Sequence, residues 1–331
     1  MPPVRILGSM TSPQVAPSPV LLTLQSDALR AGLRVREGPG FVRVRSGVYA
    51  PRDAWGDLTS WERYRARVHA FHRKHPDAVL ALESAAAVLG LPVFGEPRDI
   101  HVYDPARARS RRFGDVCVHT SAESKAVESR GGMLMTSTAA TTVDLMRVLP
   151  PAFGLAVADA AVSPKRADAA SVDLLRELAG SQANRRGSAR LSLLLALVDP
   201  RAESAGETVS RAAIVWLGYE HPELQVYFVS EGARDRVDFS WRRASVIGES
   251  DGYGKYLGTD GADTIRRVID EKQREDRLRR QVRAFERWDW RATMLVYPLD
   301  ERLARAGVPR VRPAQHALLA TLRRNPRSLP R

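Results

Sequence analysis

The chain has 331 residues, 44% apolar and 27% charged, with 21 prolines and one cysteine. That is an ordinary globular composition with room for roughly two or three packed domains, which excludes a single-core miniprotein and wholesale disorder. The longest unbroken apolar runs, such as residues 193–198, fall well short of the about 20 residues a bilayer-spanning helix needs, so no membrane is expected.

The opening twenty residues contain five prolines and no apolar core of signal-peptide length. They read as a disordered arm without an export address, which makes the cytoplasm the expected compartment. Cys117, alone in the chain, can form neither an internal disulfide nor a cysteine-based zinc site, and in the alternation VCV it reads as a small buried hydrophobe. A formal charge of +13 invites a nucleic-acid partner, because neutralising a polyanion releases its counterions. The surplus is uneven: +7 over residues 1–199, −1 over 200–300 and +7 over 301–331.

After the arm, LLTLQSDALRAGL suits a short helix, and PGFVRVRSGVYAP alternates apolar and basic residues at period two. Residues 21–58 are therefore expected as a winged-helix-like segment. On its ribbon Val42 and Val44 face inward while Arg43 and Arg45, with Arg52 beyond them, are placed to lie along a phosphate backbone. An ordinary half-buried hairpin with solvated arginines fits the same pattern.

Residues 59–199 are expected as a mainly helical middle domain. SWERYRARVHAFHRKH starts at Ser60 as N-cap and aligns Trp61, Tyr64, Val68 and Phe71 on one stripe. AVLALESAAAVLGL, TSTAATTVDLMRVLP, FGLAVADAAVS, DAASVDLLRELAG and GSARLSLLLALV supply further helices. RDIHVYDP and DVCVHTS interrupt them as strands. The triplet His69, His72 and His75 shares a helical face but lacks a completing cysteine, so it reads as a solvated helix end.

From residue 200 the pattern becomes helix, three strands, long helix, strand. ESAGETVSRAAIVWLG opens with Ser204 and Glu207 at capping-box spacing. ELQVYFVS, RVDFSW and ASVIGES follow as strands, then a helix through DTIRRVIDEKQREDRLRRQVRAFERW with Asp270–Arg274, Glu275–Arg279 and Asp276–Arg280 at i,i+4 spacing. RATMLVYPL reads as the last strand, and residues 301–331 as a basic tail. The fold class is thus α/β, mixed α+β overall, with an α-β-β-β-α-β C-terminal domain over 200–300.

The residues that can carry chemistry lie in this domain. A turn near Arg243 sets residue 238 opposite about residue 248, give or take one, so Asp238 and Glu249 meet at one end of a hairpin. Asp251 shares a strand face with Glu249, and Glu207 approaches from the preceding helix. Two carboxylates about 4 Å apart repel by roughly 1 kcal/mol in water and about 4 at an effective dielectric of 20, and Mg²⁺ or Mn²⁺ relieves that. Lys255 is the nearest ammonium for a phosphate or nucleophile. The competing reading is solvated turn acids with Glu207 merely capping its helix.

The stretch ESAGETVSRAAIVWLGYEHPELQVYF, RVDFSWRRASVIGESDGYGKY and IDEKQREDRLRR resembles the very-short-patch-repair-like endonuclease domain of the PD-(D/E)XK superfamily. The resemblance implies catalytic roles for Glu207, Asp238, Glu249, Asp251 and Lys255, with Asp238, Glu249 and Asp251 as metal ligands. The superfamily's E-x-K element reads Glu249-Ser250-Asp251 here. The N-terminal part, through RSGVYAP, ALESAAAVLGLP and TSTAATTVDLMRVLP, is similar to the AbiE-type (AbiEi-like) antitoxin regulators. Together the two resemblances imply a DNA-associated protein with a metal-dependent endonuclease-like domain in a defence or toxin–antitoxin setting. The alternative is a non-catalytic, DNA-binding antitoxin-like regulator, with a cognate toxin as a further partner.

Overall fold

The computed structural model describes residues 6–7, 14–36, 38–251 and 261–329. It is a mixed α+β protein with three sheets. The chain divides into two compact units, one made of residues 1–149, 164–196 and 325–331, the other of 150–163 and 197–324.

In the first unit, Phe41–Arg45 and Val48–Pro51 form the expected ribbon, and Thr23–Leu24 adds a third strand. Val42 and Val44 pack inward on a core of Val20, Leu22, Val48, Ala50, Ala66 and Ala70. The preceding proline-rich segment, expected as part of a disordered arm, is packed where it is described. Ala16 N–H donates to Val88 O at 2.8 Å, and Val20 is buried. Prolines hold such a segment extended in the unfolded chain too, which lowers the entropy lost on docking.

The region 59–199, expected as mainly helical, also carries six strands of a seven-stranded sheet. Its order runs Ile6–Leu7, Val127–Arg130, Met133–Thr136, Val79–Leu80, Ile100–Tyr103, Val116–His119, Arg111–Phe113. The two read as strands from sequence, Ile100–Tyr103 and Val116–His119, pair in parallel. Of the others, Ile6–Leu7, Val79–Leu80 and Arg111–Phe113 are two or three residues long, too short to display a period. The helix Ser60–His72 buries Tyr64, Val68 and Phe71, while Trp61 stays half exposed.

In the second unit, a sheet of four strands has the order Glu223–Ser230, Ala233–Trp241, Val246–Asp251, Ala284–Asp289. The first three are antiparallel neighbours and the last pairs in parallel with the third. Helix Ala205–Trp216 covers one face: Ser210 Oγ lies 3.3 Å from Ser250 Oγ and accepts from Trp288 Nε1–H at 3.0 Å. The other face packs on the long helix Gly261–Gln281, with Val226, Val237, Ile247 and Phe285 around Leu278. The α-β-β-β-α-β order is present, with one correction. The last strand is AFERWD, not RATMLVYPL, which instead forms the helices Trp290–Leu295 and Tyr297–Ala306. Asp289 decides the boundary by accepting from Ala292 N–H as an N-cap, at 2.8 Å.

Two further segments differ from the pattern-based boundaries. The apolar helix Pro151–Val162 belongs to the second unit, where Asp159 pairs with Arg211 at 2.6 Å, both side chains 2% exposed. The stretch expected as a basic tail is largely folded: Leu303, Val308, Leu319 and Leu322 are all buried.

Candidate functional site

Ser204 caps the helix Ala205–Trp216, its Oγ accepting from Glu207 N–H at 3.1 Å. The reciprocal bond shifts by one residue, because Glu207 Oε2 accepts from Glu203 N–H at 3.0 Å. The same oxygen accepts from Gln225 Nε2 at 2.8 Å, so the buried Glu207 carboxylate does more than close a capping box.

Gln225 has φ of +54°, unusual for a side chain that long, and it stands opposite Asp238 in the register set by Leu224↔Phe239 and Val226↔Val237. The strand changes face here. Val237 packs toward Leu278 of the long helix, whereas Phe239, two residues on, stacks on Trp288 beneath the other helix. Asp238 sits at the switch, its Oδ2 accepting from Ser250 N–H at 3.0 Å and its Oδ1 3.5 Å from Gln225 Nε2. Gln225 thus bridges Glu207 and Asp238, a member of the candidate site that the sequence pattern hid inside an ordinary strand.

The pair Phe239↔Gly248, extended by one residue, sets Asp238 opposite Glu249, within the expected register. The two carboxylates nonetheless have different partners. Glu249, buried, gives Oε1 to Arg274 Nη2 and Oε2 to Arg287 Nη2, the latter at 2.8 Å. Arg287 also reaches Glu271 and, at 3.2 Å, Glu275, and it lies 3.9 Å from Asp251. Burial alone would lower the pKa of Arg274 and Arg287. The hydrogen bonds and charge of Glu249 outweigh it and hold both guanidinium groups above their ordinary range.

Both oxygens of Glu249 are therefore occupied by guanidinium donors. Among the described residues, no three His, Cys, Asp or Glu side chains are grouped to hold a metal ion. In this arrangement Glu249 offers a divalent cation no oxygen without a guanidinium contact. Lys255 lies outside the described residues.

The long helix uses its arginines differently from the i,i+4 expectation. Glu275–Arg279 forms, at 2.7 Å. Arg274, Arg277 and Arg280, at i, i+3 and i+6, reach instead to Glu249, Asp235 and Glu231. This stripe of three arginines supplies counterions to the sheet.

Of the three N-terminal arginines, Arg43 is exposed as expected. Arg45 is not free to meet a phosphate: a bulge between Arg43 and Arg45 breaks the alternation, and Arg45 binds Asp115 through two bonds of 2.5 and 2.9 Å. Arg52 bonds the backbone of its own ribbon at Pro39 O and Phe41 O. In the histidine triplet, His69 Nε2 bonds Ala16 O at 2.9 Å, so one of the three is a packing residue.

Two proteins of Mycobacterium tuberculosis are similar to this chain: Uncharacterized protein MT2308 of strain CDC 1551 / Oshkosh and Uncharacterized protein Rv2248 of strain ATCC 25618 / H37Rv. Each is 33% identical over 212 residues, which is 63% of this chain and 72% of the relative. The chain belongs to the family of these mycobacterial proteins. No protein-family profile matches it, and no solved structure does. Among the described residues, no helix is long and apolar enough to cross a membrane.

Proposed function

We propose that this chain is a DNA-associated protein of the AbiE antitoxin-like kind, whose second unit uses an endonuclease-like α-β-β-β-α-β fold for binding rather than for turnover. The observation that carries the reading is the state of Glu249. It stands opposite Asp238, as an acid of the PD-(D/E)XK type should, yet two arginines hold both of its oxygens. The formal charge of +13 and the exposed Arg43 support a polyanionic partner.

The test is duplex DNA binding by fluorescence anisotropy over a salt series, beside supercoiled plasmid incubated with Mg²⁺ or Mn²⁺ and an EDTA control. Log affinity is expected to fall with log salt at about −0.9 per neutralised phosphate, with the plasmid intact. Absence of binding at low salt overturns DNA association. Metal-dependent nicking that disappears in both Asp238→Ala and Glu249→Ala overturns the binding-only reading and restores catalysis, which the convergence of Glu207, Gln225 and Asp238 favours. Co-purification with a neighbouring toxin tests the protein partner.

A further inference from the structure

Residues 325–329 fold into a groove of the first unit that is built around a buried carboxylate. Residues 325–331 belong to that unit although about 130 residues of the second unit precede them: residues 197–324. Ser328 pairs with Pro97 in an isolated antiparallel bridge. Around it Arg98 N–H donates to Arg327 O at 3.0 Å and Leu329 N–H to Glu96 O at 2.8 Å. Arg98 Nε donates to Ser328 O, Glu96 N–H to Ser328 Oγ, and Asn325 Nδ2 to Phe94 O, each at 3.0 Å.

The centre of the groove is selective for a guanidinium. Arg327 donates through Nε and Nη2 to the two oxygens of Glu83, the latter at 2.7 Å, in the parallel fork that lysine cannot reproduce. Its Nη2 also donates to His101 Nε2 at 3.1 Å. With Arg327 in place Glu83 is 3% exposed and His101 5% exposed, so the guanidinium meets a buried polar pair. His101 Nδ1 lies 2.9 Å from His119 Nε2. With Nε2 accepting from Arg327, the proton sits on Nδ1 and is donated to His119. Gly95, at φ +74°, permits the close approach, since a Cβ there would stand 2.3 Å from Ser328 Oγ.

We propose that this groove is a recognition site for an extended arginine-bearing peptide, filled in cis by residues 325–329, and that it retains that segment without the covalent link to residue 324. The recognised elements are a side-chain amide, a guanidinium two residues later and a hydroxyl directly after it, aligned along the 94–98 backbone. Any partner segment of that chemistry competes with residues 325–329 for Glu83.

The experiment inserts a protease recognition sequence between Arg324 and Asn325 of the full chain, cuts after folding, and follows the released peptide by gel filtration and mass spectrometry. Retention of the peptide with the protein is expected. A labelled synthetic peptide of residues 324–331 should exchange into the cut protein, and unlabelled peptides with Arg327→Lys or Arg327→Ala should compete at least about tenfold less well. Because those changes lie in the peptide, the fold of the protein cannot confound them. Immediate loss of the peptide from the cut protein, or equal competition by the Arg327→Ala peptide, overturns the proposal.

Discussion

Lowering the pH from 7 to 5 should loosen the first unit through His101. Burial, the largest influence, and the nearby Arg327 and His119 favour the neutral ring more than Glu83 and Asp99 favour the charged one, which pulls the pKa down to about 4. A histidine depressed in the folded state is protonated first in the unfolded chain. Its contribution is therefore fully present above about 6.5 and lost as pH falls from there toward 4. With an unfolded value of 6.5, the loss at pH 5 is about 2 kcal/mol, approaching about 3 at pH 4. Protonation also removes the Nε2 lone pair that accepts from Arg327 and turns that edge toward Glu83, 3.4 Å away. The groups facing the ring are Glu83 from the helix Leu82–Leu89, Arg327, His119 from the strand Val116–His119, and Asp99 just before its own strand. The assay is native-state hydrogen exchange of the amides of Ile100–Tyr103 at pH 7 and 5, corrected for intrinsic rates. In His101→Gln, whose amide can accept from Arg327 and donate to His119 without titrating, protection should fall by about 2 kcal/mol less than in the wild type. An identical fall in both proteins would refute the assignment.

Three other changes follow from the packing. Arg327→Ala strands Glu83 as an unpaired buried charge and should cost the first unit about 3–5 kcal/mol, read by the same exchange experiment. Gly248→Ala places a methyl 2.4 Å from Trp288, so overpacking of about 1–3 kcal/mol is expected in urea titrations followed by tryptophan fluorescence; an unchanged midpoint would count against it. Asp159→Ala removes the partner of Arg211 in a pair 2% exposed on both sides and should cost about 3–5 kcal/mol in the second unit. Replacing both Asp159 and Arg211 with apolar residues of similar volume should recover most of that loss in the same titration.

Much of the second unit was legible because its elements are long. Glu223–Ser230, Ala233–Trp241 and Val246–Asp251 show strand composition over six to nine residues, and the turn near Arg243 fixed the pairing of 238 with 249 to within one position. The last strand was misplaced because AFERWD carries three charges and continues a helical charge pattern, whereas RATMLVYPL is apolar. The decisive signal, Asp289 as N-cap to Trp290–Leu295, is one residue long. In the first unit, Val127–Arg130 and Met133–Thr136 were missed although Gly131-Gly132 between them is a hairpin signal.

What the sequence cannot display is which charge answers which. Arg274 and Arg280 each have an acid four residues earlier, so local rules assign them to their own helix, whereas Arg277 has none at i±3 or i±4. Packed on the sheet, they find Glu249, Asp235 and Glu231, of which Glu249 and Asp235 are buried, and a buried carboxylate gains more from a guanidinium than an exposed one does. The same displacement takes Arg327 to the buried Glu83, and Arg45 pairs with the half-exposed Asp115. A segment's net charge therefore overstates the cationic surface it presents. The arginines still open to a phosphate are exposed ones, like Arg43, rather than those paired with an acid. On the DNA-binding reading proposed above, a charge-reversal scan should weaken DNA binding at Arg43 without unfolding the chain, whereas at Arg45 it should destabilise the first unit by leaving Asp115 without its bidentate partner.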